Sequence, residues 1–335
     1  MQRTRICHRR KKRARSHCPH VTPWLSLTAG VTYDKLRYPQ NFRTPPLVDE
    51  ERSFSKWSPK VGFVLTPHPT LVLRGAYTEA ISGVSFDENV RLEPTQVAGF
   101  NQAYRTVVSE DIFGSVSGAS YKTYGLSLEQ KLPTRTYWGL EYNVLTQDLH
   151  RTVGVFDFLT DHGAAVAVLP SQTEQKAVYR EDTVTASVNQ LIGDRWSVGT
   201  RYRYSKAKFR QDFRDVSNNL FALADTTRSS ILHEIDLFAL YNHPSGFFAR
   251  AEALWFNQEN DGFERSATAP KNDPRPGDDF WQINALAGWR FYRNQCEVSC
   301  GVLNITDTDY HLEPLNYYLE LPRERTLFVR VKFTF

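Results

Sequence analysis

The sequence predicts an all-β chain, an antiparallel up-and-down transmembrane β-barrel or barrel segment of about 12 strands. Three observations support this fold class. Apolar and polar residues alternate with a period of two along most of the chain. The connections between the predicted strands alternate between short and long, and the last predicted strand carries an unbroken apolar row. Short periplasmic turns and long extracellular loops are typical of such barrels.

The alternation is clearest where aromatic residues mark one face. Trp138, Leu140, Tyr142 and Val144 alternate with polar or small residues, which indicates a strand with one apolar and one polar face. No stretch of comparable length has a helical stripe. The predicted strands are 24–37, 57–65, 70–80, 121–131, 136–146, 182–191, 195–208, 231–241, 246–257, 280–291, 296–304 and 325–335.

The connections predict that all tight turns lie at one end of the sheet. Consecutive antiparallel strands reverse direction, so short links that alternate with long ones collect on one side. The short links are 66–69, 132–135, 192–194, 242–245 and 292–295. The long links are 38–56, 81–120, 147–181, 209–230, 258–279 and 305–324. Loops of such length are uncommon in compact soluble domains.

The two faces of the predicted strands differ in a way that suits a membrane. Trp138, Trp196, Trp281 and Trp289 lie near strand ends on the apolar face, where interfacial aromatic belts are expected. The other face carries charges that suit a wet or plugged lumen. These are Glu129, Lys131, Glu141, Arg201, Arg203, Glu234, Asp236, Arg250, Glu252, Arg290, Arg330 and Lys332. A soluble two-sheet core has the same period, so the period alone leaves that alternative open.

Composition and charge exclude several other classes. An aromatic content of 13% is too high for a disordered protein, and no stretch of about 18 uncharged apolar residues is present to form a transmembrane helix. The first 20 residues hold eight Lys or Arg and no acidic residue. Without these eight, 33 basic residues face 37 acidic ones, so a nucleic-acid-binding role does not extend to the body. We expect residues 1–22 to be a basic, unstructured leader without a visible signal peptide, and residues 23–335 to form the barrel.

The cysteine and histidine residues predict neither a disulfide nor a metal site. Cys296 and Cys300 share one face of a strand with Cα atoms about 13 Å apart, which is too far for a disulfide. Cys7, Cys18 and the nearby histidines lack the spacing of a compact zinc module. We expect no cofactor.

The last predicted strand has the features of an outer-membrane assembly signal. Its apolar row ends on an aromatic residue, as in outer-membrane barrel proteins. A soluble edge strand with such a row exposed would invite aggregation. We therefore expect the row to contact lipid or a partner strand. It consists of Leu327, Val329, Val331, Phe333 and Phe335.

Several segments resemble those of TonB-dependent receptors. Residues 301–310 read GVLNITDTDY, which is similar to the family's penultimate-strand ending, G-x-x-N-L-F-D-x-x-Y. Residues 321–326 are similar to its P-G-R-T segment, although they read LPRERT. Residues 58–63 and 70–77 look like the paired strands before the family's long loop, and residues 92–94 look like its L-K-P-E element. The resemblance covers about residues 55–335, with Ile305 where Phe is usual.

The resemblance implies a receptor in the outer membrane of a Gram-negative type of cell, whose relatives take up iron chelates, cobalamin or glycans. It implies three partners: outer-membrane lipid, the barrel-assembly machinery and, if the full protein has a plug, a TonB-type energy-coupling protein. Since only about 23 residues precede the first predicted strand, we expect a fragment without the plug. A passive porin, or an anchor for a periplasmic domain, is the alternative. No nucleophile motif such as G-x-S-x-G occurs, so we expect no enzyme, and no nucleic-acid partner.

The long predicted loops hold candidate ligand contacts. These are Phe86, Asp87, Phe100, Tyr104, His162, Tyr310, His311 and Tyr317. The alternative for each residue is that it packs within its own loop. Asp148, His150, Asp157, Asp161 and His162 are irregularly spaced, which favours a solvated loop over a metal site.

Overall fold

The computed structural model describes residues 9–17, 20–41, 45–81, 96–98, 100–101, 119–161, 164–216, 225–262, 277–291, 295–310, 312 and 324–334. All regular structure in these residues is β. The strands are β1 Arg9–His17, β2 His20–Thr22, β3 Leu25–Asn41, β4 Val48–His68, β5 Leu71–Ile81, β6 Gln96–Val97, β7 Phe100–Asn101, β8 Ser120–Lys131, β9 Thr136–Asp161, β10 Ala164–Ile192, β11 Trp196–Phe213, β12 Thr226–Asn242, β13 Phe247–Asp261, β14 Gly277–Phe291, β15 Cys296–Leu303 and β16 Thr326–Phe333.

One antiparallel sheet contains fourteen of the described strands. Its main path follows chain order, β1-β3-β4-β5-β8-β9-β10-β11-β12-β13-β14-β15-β16, and β2 pairs with β3 beside this path. β6 and β7 form a separate two-stranded sheet. Within the described residues β1 and β16 do not pair with each other, so they form the two edges of the sheet and closure into a barrel is not detected.

The predicted all-β meander is confirmed. All twelve strands predicted from the alternation are present, as β3 to β5 and β8 to β16. The two further members, β1 and β2, come from the basic segment that the sequence predicts to be unstructured. Residues Arg9–His17 pair along β3, with His17 opposite Ala29. The physical reason is that β3 otherwise presents a free edge, whose backbone N–H and C=O groups this segment satisfies.

The tight turns lie at one end of the sheet, which we call the turn end. In the turn before β13, His243 accepts a hydrogen bond from Gly246 at 3.0 Å through its backbone oxygen. Gly246 has a φ of 95°, and its carbonyl accepts from the backbone N–H of Arg290 at 2.9 Å. A Cβ on Gly246 would lie 2.2 Å from the Arg290 oxygen, so both the backbone angle and the close approach require glycine here.

Two of the predicted long links are strands in the structure, which corrects that prediction. β4 takes in residues 48–56, and β9 and β10 continue through most of 147–181, with 26 and 29 residues. A membrane-spanning strand needs only about 9–11 residues. The β9–β10 hairpin therefore extends about 15 residues, or about 50 Å along the strand, beyond the spanning part. The ends of the predicted link 209–230 also belong to strands, since β11 continues to Phe213 and β12 begins at Thr226. The links 81–120, 258–279 and 305–324 lie largely outside the described residues.

Aromatic rings cover a glycine of the neighbouring strand on the inner face. Gly288 of β14 is directly opposite Phe248 of β13. A Cβ at position 288 would lie 2.6 Å from the Phe248 ring and 2.5 Å from the Val298 oxygen. The missing side chain lets the ring lie flat against the neighbouring strand, an arrangement that pins the register of a sheet.

Candidate lipid-facing band and charged inner wall

The apolar row of the spanning strands lies on the exposed, outer face of the sheet. Leu126 and Leu140 are 51% and 48% exposed, whereas Ser58, Ser127 and Ser205 on the inner face are buried. A soluble fold has the opposite arrangement, because burial of apolar surface stabilises it. An apolar outer face of this extent needs lipid or a partner to cover it.

The last strand of the sheet has the same orientation. Leu327, Val329, Val331 and Phe333 are between 53% and 76% exposed and form one row of β16. Phe335, the last residue of the predicted row, lies outside the described residues. The row is thus placed on the lipid-facing side, and its role in assembly stays a prediction.

Two belts of aromatic side chains border the outer face. At the turn end, Trp196 contacts Tyr241 with ring centroids 4.7 Å apart, and Phe247 contacts Trp289 at 5.7 Å. We call this the turn-side belt. The far belt lies toward the other end of the sheet. It contains three cross-strand pairs, Tyr33 with Trp57, Tyr77 with Tyr124 and Trp255 with Trp281, whose ring centroids are 4.8, 4.9 and 6.4 Å apart. It also contains Tyr202 and Tyr204, which lie beside His233.

The distance between the belts matches an outer membrane. Trp281 and Trp289 belong to different belts and lie on one strand, β14. Eight residues span about 27 Å along a strand, or about 20 Å in height at a tilt near 40°. Outer-membrane barrels have an apolar band about 25 Å tall between aromatic girdles. The predicted positions of Trp196, Trp281 and Trp289 on the apolar face are confirmed, since each is nearly half exposed there.

The inner face carries a network of ion pairs across β10, β11 and β12. Glu234 lies 3.0 Å from Arg201 and 3.7 Å from Arg203. Arg203 also reaches Glu181 at 3.8 Å, and Arg201 reaches Asp236 at 3.5 Å. Glu181 and Glu234 are buried, so these arginines neutralise carboxylates that water reaches poorly.

A second network continues the inner wall to the last strand. Glu297 accepts from Arg290 through one carboxylate oxygen and from Arg330 through the other, each at 3.0 Å. The Arg290 guanidinium also lies 4.0 Å from the centroid of the Phe248 ring. The sequence prediction that these charges share one face is confirmed. The strand register also identifies which of these charged residues are in contact with each other.

Beyond the far belt, the inner face of β8 to β11 has a buried apolar cluster, which we call the upper cluster. It consists of Ala119, Tyr121, Leu145, Leu149, Ala177, Tyr179, Ala207 and Phe209. Gln147 lies between Tyr121 and Tyr179 in the register. Its side chain is wholly buried, and neither amide atom has a hydrogen-bond partner among the described residues. An unsatisfied buried polar group costs about 1–3 kcal/mol, so a polar group that reached Gln147 would stabilise the site.

A smaller cluster joins the upper parts of β3, β4 and β5. Leu36, Tyr38 and Ile81 are buried there, and Phe54 packs against them. Burial raises the pKa of the Tyr38 phenol, and the positive charge of Arg52 opposes this shift. The phenol therefore stays neutral at physiological pH.

Sequence reasoning missed Gln147 because it predicts a loop over 147–181. The inner row of these strands mixes polar and apolar residues, such as Thr173, Gln175, Ala177 and Tyr179. A row of that kind has no hydropathy alternation. The only sequence signal is the regular spacing of Leu145, Leu149 and Val153 on one side.

The structure places two of the eight predicted ligand contacts. Tyr310 stacks on Phe280 with ring centroids 4.4 Å apart and an interplanar angle of 7°, and Phe280 stacks on Phe256 at 5.1 Å. For Tyr310, this stack favours the alternative that the side chain packs against its own chain. Phe100 lies in the small β6–β7 sheet, opposite Val97. The other six lie outside the described residues: Phe86, Asp87, Tyr104, His162, His311 and Tyr317.

In the described ranges, no group of three or more His, Cys, Asp or Glu could hold a metal ion. Cys296 and Cys300 are free. The same part of the chain has no helix long and apolar enough to cross a membrane.

Comparisons with known proteins agree with the sequence motifs. Residues 20–101 match the family described as TonB dependent receptor-like, beta-barrel. No curated protein matches the chain. The ferripyoverdine receptor of Pseudomonas aeruginosa is a similar solved structure, at 9% identity and a TM-score of 0.49, with 89% of this chain and 40% of that receptor covered.

Two further solved structures are similar over most of this chain. The outer membrane transporter YddB from Escherichia coli has 9% identity and a TM-score of 0.25, with 98% of this chain and 76% of that one covered. The siderophore receptor PirA from Pseudomonas aeruginosa has 10% identity and a TM-score of 0.23, with 96% and 75% covered. This chain spans 40% of the ferripyoverdine receptor's length. The family match confirms the predicted resemblance to TonB-dependent receptor barrels over residues 20–101.

Proposed function

We propose that the chain is part of an outer-membrane receptor that takes up a large, scarce ligand with energy from a TonB-type partner. The family match and the outward-facing apolar band support a membrane wall. The observation that carries the proposal is the inner wall, where paired charges run from Glu181 on β10 to Arg330 on β16.

Such a wall suits reversible contact with a folded plug. Arg250 and Arg330 are each about half exposed although they are ion-paired, and their partners Glu252 and Glu297 are more exposed than Glu234. Ion pairs that water reaches are worth only about 0–1 kcal/mol each. The arginines can therefore exchange their partners for groups on a plug at little cost, and release them when the energy-coupling partner acts.

Ligand capture is proposed for the far end, beyond the membrane. The long β9–β10 hairpin and the upper cluster lie there, and both polar side-chain atoms of Gln147 lack a hydrogen-bond partner in the part of the chain that the structure describes. The eight predicted loop residues, from Phe86 to Tyr317, stay proposed contacts on the same side. Outer-membrane lipid and the barrel-assembly machinery, acting on the β16 row, are the proposed partners of the outer face.

The test separates uptake from passive conduction. The full-length protein is placed in planar bilayers in potassium chloride, and cells with and without its gene are given radiolabelled ferric chelates, cobalamin and oligosaccharides. We expect no steady ionic conductance, and uptake of one probe that needs the gene and stops when a protonophore collapses the proton gradient. Steady conductance without an energy source would instead establish the passive porin.

Gln147→Leu adds a residue-level test of ligand capture. Removal of the unsatisfied amide should leave the fold at least as stable, because a buried leucine needs no hydrogen bond. It should weaken uptake of the probe that the wild type takes up. Unchanged uptake would remove Gln147 from the proposed ligand contacts.

A further inference from the structure

The inner face of β3, β4, β5 and β8 has a recess at the level of Gly62, which we call the notch. In the register Gly62 of β4 is opposite Thr28 of β3 and Ala76 of β5. Ala76 is in turn opposite Gly125 of β8. Alternate residues of a strand share a face, so Gly62 lies on the same inner side as the buried Ser58. Four small residues at one height therefore leave room beside the wall.

The tip of the β6–β7 hairpin fills the notch. Val97 of β6 is only 3% exposed, and the next residue, Ala98, has a φ of 50°, as residues in tight hairpin turns do. A Cβ on Gly62 would lie 2.8 Å from Cγ1 of Val97 and 3.0 Å from Cβ of Ala98. Even a methyl group at position 62 would thus force the tip to shift.

The wall beside the hairpin tip is shielded from water. Lys60 lies two residues from Gly62 on the same face and is 5% exposed, and its Nζ donates a hydrogen bond to the carbonyl of Glu79 at 3.2 Å. Lysine is rarely so buried on an open surface. The charged wall of β11 is different, because the side chain of Arg201 is half exposed. The inner wall is therefore covered at β4 and open at β11.

The notch lies deep within the membrane-spanning part of the wall. Gly62 is five residues from Trp57 of the far belt, on the side of the turn end. This offset corresponds to about 17 Å along the strand, or about 13 Å in height. The apolar band of such barrels is about 25 Å tall. The hairpin tip therefore reaches about the middle of the band.

The hairpin belongs to a connection that begins outside the band. β5 ends at Ile81, four residues beyond Tyr77 of the far belt. The next described strand, β6, contacts the notch from the inner side. Part of the connection between β5 and β8 has thus returned to mid-height, where it lies in the path of a solute that moves along the inner wall.

We propose that the β6–β7 hairpin is an internal strap, which docks in the notch through Val97 and Ala98 and closes this part of the inner wall at mid-membrane. The strap leaves the notch when a large ligand passes, a step that rests on the proposed uptake function. Its two anchoring side chains are small and apolar, so their release separates no charged or hydrogen-bonding side chains.

The first test is a cross-link in the full chain folded into phosphatidylcholine vesicles, with the four native cysteines replaced by alanine. Gly62→Cys with Ala98→Cys should form a disulfide on oxidation, because the Cβ separation of 3.0 Å is close to the 3.5–4.5 Å of disulfides. The matched control is Gly139→Cys with Ala98→Cys, whose first position lies on the inner face of β9. We expect at least about tenfold less disulfide in the control. Equal yields would overturn the proposal.

A labelling experiment tests docking without a cross-link. In the same vesicles the thiol introduced by Val97→Cys should react slowly with a maleimide, because position 97 is buried. Adding Gly62→Val should fill the notch and raise the rate at least about tenfold, whereas Gly139→Val should not. Fast labelling without any change at position 62, or equal rates in the two glycine variants, would show that the hairpin does not dock.

The role as a strap is tested in cells with the Gly62→Cys, Ala98→Cys variant. Oxidation should stop uptake of the probe that the wild type takes up, and a reductant should restore it. Undiminished uptake by the oxidised variant would overturn this role. If the wild type took up no probe, the proposed function would fail, whereas the disulfide and labelling results would still decide whether the hairpin docks in the notch.

Discussion

Insertion of a charge at the middle of the outer face tests the membrane orientation directly. Ala251 is exposed on the outer face of β13, four residues from Phe247 of the turn-side belt and four from Trp255 of the far belt. It therefore lies at the mid-height of the band, about 10 Å from either belt. Ala251→Arg removes almost no apolar surface, so its effect reports the cost of the charge itself.

The expected cost depends on what surrounds this face. An arginine facing lipid at the bilayer midplane costs about 2–4 kcal/mol, falling to about 0–1 kcal/mol near the interface. A surface substitution in water is usually within about 0.5 kcal/mol of neutral. The control is Asn257→Arg, on the same strand and two residues beyond Trp255, where we expect a cost below about 1 kcal/mol.

The measurement is equilibrium unfolding by guanidinium of each variant folded into phosphatidylcholine vesicles. Ala251→Arg should lower the free energy of unfolding by about 2–4 kcal/mol with an unchanged denaturant slope. If both variants were within about 0.5 kcal/mol of the wild type, the outer face would not be in lipid and the reasoning from the belts would be refuted.

Three further predictions concern the turn, the inner rings and the inner charges. Gly246→Ala should lower the free energy of unfolding by at least about 2 kcal/mol, because its Cβ meets a carbonyl and the backbone angle is unfavourable; a cost below about 0.5 kcal/mol in the same unfolding assay would contradict this. Gly288→Ala should cost about 1–3 kcal/mol, whereas Gly139→Ala, whose Cβ would be 3.3 Å from its nearest neighbour, should be close to neutral; equal costs would show that the Phe248 ring does not hold the register. Glu234→Gln should cost about 1–2 kcal/mol, a value reduced by the exposure of its arginine partners, and a loss that does not shrink when salt is added would argue against an electrostatic origin.

The spanning part of the fold is predictable from the sequence because lipid imposes a strict rule on it. Each strand there needs an apolar outer row, so Trp281, Ile283 and Trp289 repeat with a period of two that can be read directly. Beyond the far belt the outer row no longer has to be apolar, because it does not face the hydrocarbon core. The outer row of β10 holds Glu174, Lys176 and Arg180, the inner row is mixed, and the pattern of a strand disappears although the backbone pairing continues.

The candidate sites show the same division. The sequence assigns Arg201, Arg203 and Glu234 to one face, since face depends only on odd or even spacing. It does not reveal that Arg201 meets Glu234, because that contact depends on the register of β11 against β12, which are separated by the long link after Phe213. The contact of Gln147 with Tyr121 and Tyr179 depends on register over residues that lack any hydropathy signal, so only the structure brings these side chains together.

The order of strands in the sheet has an arithmetic consequence for any complete wall. The path from β1 to β16 has thirteen strands in the described part of the chain, and both edge strands run toward the turn end. Two strands with the same direction pair only in parallel. An all-antiparallel wall that joins these edges therefore needs an odd number of additional strands between them. Thirteen plus an odd number is even, which is the parity of bacterial outer-membrane barrels. The same parity applies whether those strands come from this polypeptide or from another.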